Sequence, residues 1–490
     1  MYASNASPAR KRVELKEPLL PQSLEHAAAA AAGPRHSSPL KKQTDAKPSS
    51  GSGGGGASVT ESVHNVLNVY VGLGLLSKPY AIAEGGWLSV LILGLLCAIA
   101  NVTGKLIVRG FQKLPKSDEG TYAKLGELAF GAFGRRLVHF VVFAECCGAL
   151  MVILIFVWKN ALLLAPWYLP DAIISERTVA LVTTFLATPT VWALDFGAMV
   201  LVAQLGVIAS VIIVGVIVGV AVYYALQISF SGAALPALTL PLVQPSVSMS
   251  IGIFVLSLGG HAALPGIYAS MAEPHKFDRM LDISIAAMFL IYASVGLAGY
   301  LAYGWLKGDA AIDILITTNM AHDRAGIVPL ELPGEVGERT MSLESTIMTI
   351  AVVAKSFTAI SPVTSLVADL PELVLLGEAT GATGAAAAAR RCQQQRIIRT
   401  LLLWTVAAMA YPCSIYNGLA LVEAATGALF SMCASLALPC ACWVAIYRDE
   451  IPASKAAAAA TLAVVAVVVG ATFTTMDVIH YFSTPGASDP

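Results

Sequence analysis

Asn65-Val66-Leu67-Asn68-Val69-Tyr70-Val71-Gly72-Leu73-Gly74-Leu75-Leu76-Ser77-Lys78-Pro79 is apolar enough to leave water, yet it carries its own breakers. Two glycines weaken a helix at its middle, and the proline that follows removes a backbone donor and crowds the preceding turn. Later in the chain Phe254-Val255-Leu256-Ser257-Leu258-Gly259-Gly260-His261-Ala262-Ala263-Leu264-Pro265 repeats the plan. Small residues also serve close helix packing, and one such stretch would be explained that way. Two of matching design need a joint explanation.

The surroundings of these stretches set the solvent. The 490 residues are 57% hydrophobic and 12% charged, against about 25% charged in soluble domains. Too little polar surface remains to face water, so the chain is read as an all-α polytopic membrane protein. A bilayer core takes about 20 apolar residues per helix, and eleven segments qualify: 62–83, 87–109, 137–164, 178–194, 198–226, 247–270, 282–305, 343–366, 397–416, 418–446 and 457–477. With the N-terminus in the cytosol, 22 of the 30 Lys/Arg fall on the cytosolic side and four on the other, with four inside spans. That asymmetry follows the positive-inside rule.

The domain plan follows. Residues 1–60 are polar, basic and Pro/Ser/Gly-rich and read as a disordered cytosolic tail. Residues 61–477 would form the eleven-helix domain, with a long extracytosolic loop at 306–342, a cytosolic loop at 367–396, and a short extracytosolic tail at 478–490. The 306–342 loop has six Asp/Glu against three Lys/Arg and reads as solvated. Neither Asn5 nor Asn101 is a credible glycosylation site, since one lies in the tail and the other inside a span.

The two broken stretches are the first and sixth spans. A repeat of five spans crosses the membrane an odd number of times, so its second copy is inverted. Unwound backbone inside a bilayer is tolerated only where it faces protein or a polar cavity, and inverted repeats with discontinuous helices place substrate at the midplane. Freed N–H groups around Gly72, Leu73 and Gly74 would hold a carboxylate. Freed carbonyls around Gly259 and Gly260 would hold an ammonium. Both ends at one place suit a zwitterionic amino acid.

At these residues the chain resembles the amino acid/auxin permease family, in its vacuolar amino acid transporter branch. The likeness runs from about residue 59 to 477, most clearly at LNVYVGLGLLSKPYAIAEGGWL, GGHAALPGIYASMAEPHKF, AKSFTAISPVTSL and LALPCACW. It implies eleven helices in a five-plus-five inverted repeat of the APC/LeuT-like kind with one extra helix. It also implies transport of neutral amino acids driven by a proton gradient, or by sodium as in other branches. The chain departs from the family pattern at Leu258, where relatives often carry an aromatic, at Lys78, where they carry a small polar residue, and at Ala359, where a hydroxyl is expected.

Charges inside a membrane are costly and each needs a reason. Lys355, near the middle of the eighth span, is read either as a coupling group that carries a proton or replaces a sodium ion, or as a fixed tether. His261 is read either as a titrating group or as a hydrogen-bond partner of unwound backbone. Glu145 and Glu423 are acids available to pair with Lys355 or Lys159, or to carry a proton. Lys105 and Lys159 lie near span ends and would snorkel, Lys78 is a candidate gate, and His64 sits one residue out of register with a histidine of some relatives. The substrate-binding set is therefore Asn68, Gly72, Leu73, Gly74, Ser77, Ser257, Gly259, Gly260 and His261. The coupling-ion set is Lys355, Thr358 and Glu145. Ser356 is a further small polar candidate, and any of these hydroxyls could instead bond a carbonyl in its own helix.

Other classes lack parts. No nucleophile elbow, phosphate-cradling loop or clustered metal set is present, so no enzymatic activity, metal or cofactor is expected. The expected partners are a small amino acid, a proton or sodium, and membrane lipid, with no nucleic acid. A nutrient sensor on the same scaffold is the non-transport alternative. Glu14 with Leu19-Leu20 fits a loose acidic-dileucine pattern, which favours a vacuolar or other endomembrane location.

Overall fold

A computed structural model describes residues 57–114, 121–168, 174–192, 196–231, 240–304, 313–322, 342–376 and 385–483. Among them every regular element is helical, and Ala57 and Met271 form an isolated β-bridge. Most of the 1–60 tail and the end of the 478–490 tail lie outside the described residues.

The chain enters through α1 (Val59–Tyr70), started by a capping box in which Ser58 and Glu61 satisfy each other's backbone N–H. Helix α1 thus begins inside the stretch read as tail. It stops at Tyr70, a 3-10 turn covers Leu73–Leu75, and α2 (Lys78–Gly85) restarts with Pro79 in its first turn, where the missing N–H costs nothing. Gly86 closes α2 at φ 74°; a Cβ there would meet the Pro241 carbonyl at 2.6 Å, and that carbonyl accepts from Trp87 N–H at 3.2 Å.

Next come α3 (Leu88–Phe111), α4 (Tyr122–Tyr168), α5 (Glu176–Ala187) and α6 (Phe196–Ser231). Helix α4 starts earlier than the expected 137 and bends at Gly131, whose φ is 65°. The second break separates α7 (Val247–Ser257) from α8 (Leu264–Ser270) through a 3-10 turn at His261–Ala263. After α9 (Phe277–Gly299) comes a short α10 (Ile316–His322), then α11 (Leu343–Leu376) and α12 (Ala385–Ile415). The last span pair begins with α13 (Leu419–Ala425), runs through two π-helical segments at Thr426–Ser431 and Cys433–Ala437 into α14 (Leu438–Ile446), and ends with α15 (Ala453–Ser483).

Nine helical segments among the described residues are long and apolar enough to cross a membrane. Of the other two expected spans, 62–83 falls on the shorter helices α1 and α2 and 178–194 on α5 with the 3-10 turn at Thr188–Trp192, none of them long enough by itself to be counted. The broken segment Val247–Ser270 is the most enclosed of the nine, with 61% of its apolar window buried, whereas Ala453–Ser483 has 17% buried. The discontinuous helix is therefore central, and α15 presents most of its surface outward.

Several local readings change. The segment 367–396 is largely helix: α11 continues to Leu376, α12 begins at Ala385, and Arg399 pairs with Glu372 at 2.9 Å with both side chains buried. A helix satisfies its backbone internally, so it extends wherever side-chain partners exist. Within 306–342, α10 is packed rather than solvated, since Ile316, Thr317, Asn319 and Met320 are buried and Asn319 folds back onto the Asp313 backbone. Lys105 and Lys159 do not simply snorkel; they pair with Asp282 at 2.5 Å and Glu176 at 3.0 Å.

Charges also sort by end. Lys113–Glu450 and Arg109–Asp278 link α3, α9 and the end of α14 at one end of the bundle, while Lys159 and Ser414 both reach Glu176 from α4 and α12.

Candidate functional site

The two breaks touch. A Cβ on Gly74 would stand 3.2 Å from Ser257 Cβ, and a Cβ on Gly260 would stand 2.7 Å from the Tyr70 ring. Each glycine thus makes room for the last turn of the other broken helix. Ser257 also donates weakly to Gly74 O at 3.5 Å, besides bonding its own helix at Ile253 O, 2.9 Å away.

The broken ends are held from a third side by Tyr292 of α9. Its fully buried hydroxyl donates to Tyr70 O at 2.5 Å and lies 3.1 Å from Ser257 O, so one side chain spans the ends of α1 and α7. A phenol is long enough to bridge two unwound carbonyls, and leaving them unpaired in a membrane would cost several kcal/mol each. Tyr292 was not among the expected site residues; a lone tyrosine inside an apolar span was its only signal.

Lys78 is fully buried. Its ammonium donates to Ser257 Oγ at 2.5 Å, lies 3.5 Å from Ile253 O, and stands over the rings of Phe254 and Tyr292 at 5.6 and 5.2 Å. It is a tether between α2 and α7 rather than an outward-reaching gate. Next to it, Ser77 donates to Glu423 Oε1 at 2.5 Å, while Glu423 Oε2 is buried without a partner among the described residues. The first break is thereby joined to α13.

His261 is buried at the start of the turn after the second break. Nε2 lies 3.1 Å from Ala100 O and 3.0 Å from Thr103 Oγ1, both on α3, and Nδ1 lies 3.5 Å from the Tyr70 hydroxyl. With Nε2–H donating to the carbonyl, Nδ1 is the acceptor for Tyr70. His261 thus anchors the break to α3.

Of the remaining expected residues, Asn68 lies half-buried in the last turn of α1 and Leu73 opens the 3-10 turn. A Cβ on Gly72 would meet nothing nearer than 3.9 Å, so space stands open in front of it. Gly259 differs: a Cβ there would come within 2.5 Å of Glu145 Oε1 and 3.3 Å of Ser431 Oγ. Glu145 therefore faces the second break. No ion pair joins it to Lys355 or Lys159 among the described residues.

Lys355 and Thr358 stand together on α11 against α6. A Cβ on Gly206 would be 2.8 Å from Thr358 Oγ1 and 3.6 Å from Lys355 Nζ, and Thr358 donates to Lys355 O at 2.7 Å. Ser356 bonds Val352 O in its own helix. The three coupling candidates thus form two places, one at α11–α6 and one at Glu145. His64 is exposed. A cleft of about 590 Å³ at the Lys113–Glu450 end, lined by Arg109, Tyr268, Asp278, Trp443 and Tyr447, includes none of the break residues.

Comparison with known proteins supplies the family. The family described as "Transmembrane amino acid transporter protein" matches residues 55–483. The chain is similar to amino acid transporter AVT1C of Arabidopsis thaliana, at 28% identity over 85% of this chain and 68% of the relative. It is also similar to AVT1E of the same plant, at 28% over 80% and 67%. Among solved structures, a Na+-coupled sialic acid symporter in a substrate-bound outward-open state superposes with a TM-score of 0.50 at 13% identity, covering 85% of this chain and 88% of the symporter. That likeness extends to the fold alone, which is that of LeuT-like transporters.

Proposed function

We propose, because the chain belongs to the transmembrane amino acid transporter protein family, that it is a secondary active transporter of neutral amino acids working by alternating access. The substrate is held at the unwound parts of the first and sixth spans, by Asn68, Gly72, Leu73, Gly74, Ser77, Ser257, Gly259, Gly260 and His261. The observation that carries this reading is the contact between the two breaks, Gly74 against Ser257 and Gly260 against Tyr70. Unwound backbone from two spans then offers N–H groups and carbonyls side by side, the pairing a zwitterion needs.

Eleven spans in an inverted repeat, an N-terminus in the cytosol and a vacuolar or other endomembrane location belong to the same proposal. So does coupling to protons, with Lys355, Thr358 and Glu145 as the groups concerned. Gly72 supports the substrate assignment because a Cβ there would meet nothing nearer than 3.9 Å, whereas one on Gly74 would press on Ser257.

The test is purified protein in liposomes, offered a panel of labelled neutral amino acids with pH and sodium gradients imposed separately. Accumulation driven by the pH gradient is the expected outcome. Uptake that ignores pH and follows sodium would replace the proton with sodium. Binding without uptake would make the protein a sensor on a transporter scaffold.

A further inference from the structure

Glu145 sits on α4 at 8% exposure, and its Oε1 is buried without a hydrogen-bond partner among the described residues. Ser431, fully buried on the segment that links α13 to α14, turns its Oγ toward the same carboxyl and interacts with it electrostatically. Both atoms converge on Gly259, the residue at which the sixth span is unwound. Two buried polar groups from different helices thus meet at one broken backbone, and a carboxyl oxygen left unpaired there costs about 1–3 kcal/mol.

Ser431 has its position because the helix that carries it is irregular. Thr426–Ser431 and Cys433–Ala437 are wound as π-helix, a conformation frequent at functional sites. The irregular stretch is pressed against both neighbours. A Cβ on Gly148 of α4 would meet Thr426 Cβ at 2.9 Å, and a Cβ on Gly252 of α7 would meet Ala424 Cα at 2.8 Å. Helix α4, the π segment and α7 are therefore packed closely on one another beside the second break.

Among the described residues no cation is paired with the Glu145 carboxyl. Lys105, Lys113, Lys159 and Arg399 are committed to Asp282, Glu450, Glu176 and Glu372, Lys78 to Ser257, and Lys355 stands beside Gly206. The titratable side chains that interact electrostatically with Glu145 are Tyr70, Tyr122, Cys146 and Cys433, none of them a cation. A carboxyl so placed is matched chemically by a small positive charge with hydrogens or a coordination shell to satisfy.

We propose that Glu145 and Ser431, set against the helix break at Gly259, form a subsite for one small cation: the ammonium group of the substrate or a monovalent coupling ion. The subsite rests on the transport reading above and makes it specific, since it puts the positive end of the zwitterion or its coupling ion on the α4 side of the second break.

The experiment compares full-length wild type, Glu145→Gln and Ser431→Ala, purified in detergent and shown monodisperse by size exclusion. Binding is measured for alanine, leucine and phenylalanine, and for the 2-hydroxy acid of each, which keeps the carboxylate and side chain but replaces the ammonium by a hydroxyl. Each measurement is made in sodium chloride and in choline chloride. Loss of a hydrogen bond to a charged group predicts that the preference for amino acid over hydroxy acid, or for sodium over choline, falls about tenfold or more in Glu145→Gln and by a smaller factor in Ser431→Ala. A lost ammonium preference identifies the substrate's own charge; a lost sodium preference identifies the coupling ion. If wild type binds amino acids and both variants, still monodisperse, keep both preferences, the subsite is overturned and the transport reading stands. A wild type that neither binds these amino acids nor responds to sodium overturns both.

Discussion

Lys78 shows how one residue can hold two helices. Its buried ammonium meets Ser257, the Ile253 carbonyl and two aromatic faces. It also interacts electrostatically with Glu423 across Ser77. Removing one member of a buried charged set leaves the other uncompensated, which is costlier than removing both. Lys78→Met is therefore expected to lower the apparent melting temperature, by an amount corresponding to about 2–3 kcal/mol. Adding Glu423→Gln should restore part of it, a coupling of about 1–3 kcal/mol in the double-mutant cycle. Strict additivity of the two losses, read by thermal denaturation in detergent, would show that the two charges do not sense each other.

At the scale of the elements, the breaks fit because glycines stand where the broken helices approach closest. Gly260 and Gly72 separate packing from binding. Alanine at Gly260 would drive its Cβ to 2.7 Å from the Tyr70 ring, an overpacking worth about 1–3 kcal/mol. Alanine at Gly72 would enter open space, with nothing nearer than 3.9 Å. Gly260→Ala is thus expected to be destabilised as well as slow. Gly72→Ala is expected to melt like wild type and still transport poorly, because its methyl intrudes on the substrate. Melting curves and liposome uptake measured on both variants check this; a fully active Gly72→Ala would remove that glycine from the substrate site. The same scale explains why Tyr292 matters. Two helices that end in the middle of the protein expose carbonyls that only a third helix can reach.

For the whole molecule, the charge asymmetry of the loops has a spatial counterpart. Arg109, Lys113, Asp278 and Glu450 gather at one end, and Glu176 with its partners on α4 and α12 is held elsewhere by a separate set of contacts. Single cysteines at the exposed positions Asp449 and Arg177, in a background without reactive native thiols, should be labelled by an impermeant maleimide from opposite sides of sealed vesicles. Labelling of both from one side would overturn the eleven-span topology. Enclosure varies in the same global way: the broken sixth span is the most buried of the long apolar segments and the last helix the least. The broken segment is thus enclosed by other helices, and α15 turns most of its surface outward.

What the sequence determined by itself is the membrane class and the location of both helix breaks. These are properties of composition and of glycine and proline chemistry, which act within a few residues. Residues 59–85 and 247–270 could be read that way because a broken helix is a local event. Tertiary structure alone decided which side chains finish the breaks. Tyr292 on Tyr70 O, Ser77 on Glu423, Thr103 on His261, and Glu145 with Ser431 at Gly259 join residues that lie far apart in the chain. No spacing rule announces such pairs; they exist because unwound backbone inside a membrane must be satisfied by whatever helix packs against it. The same cause extended α11 and α12 into 367–396 and buried α10 within 306–342, where composition alone suggested loops exposed to water.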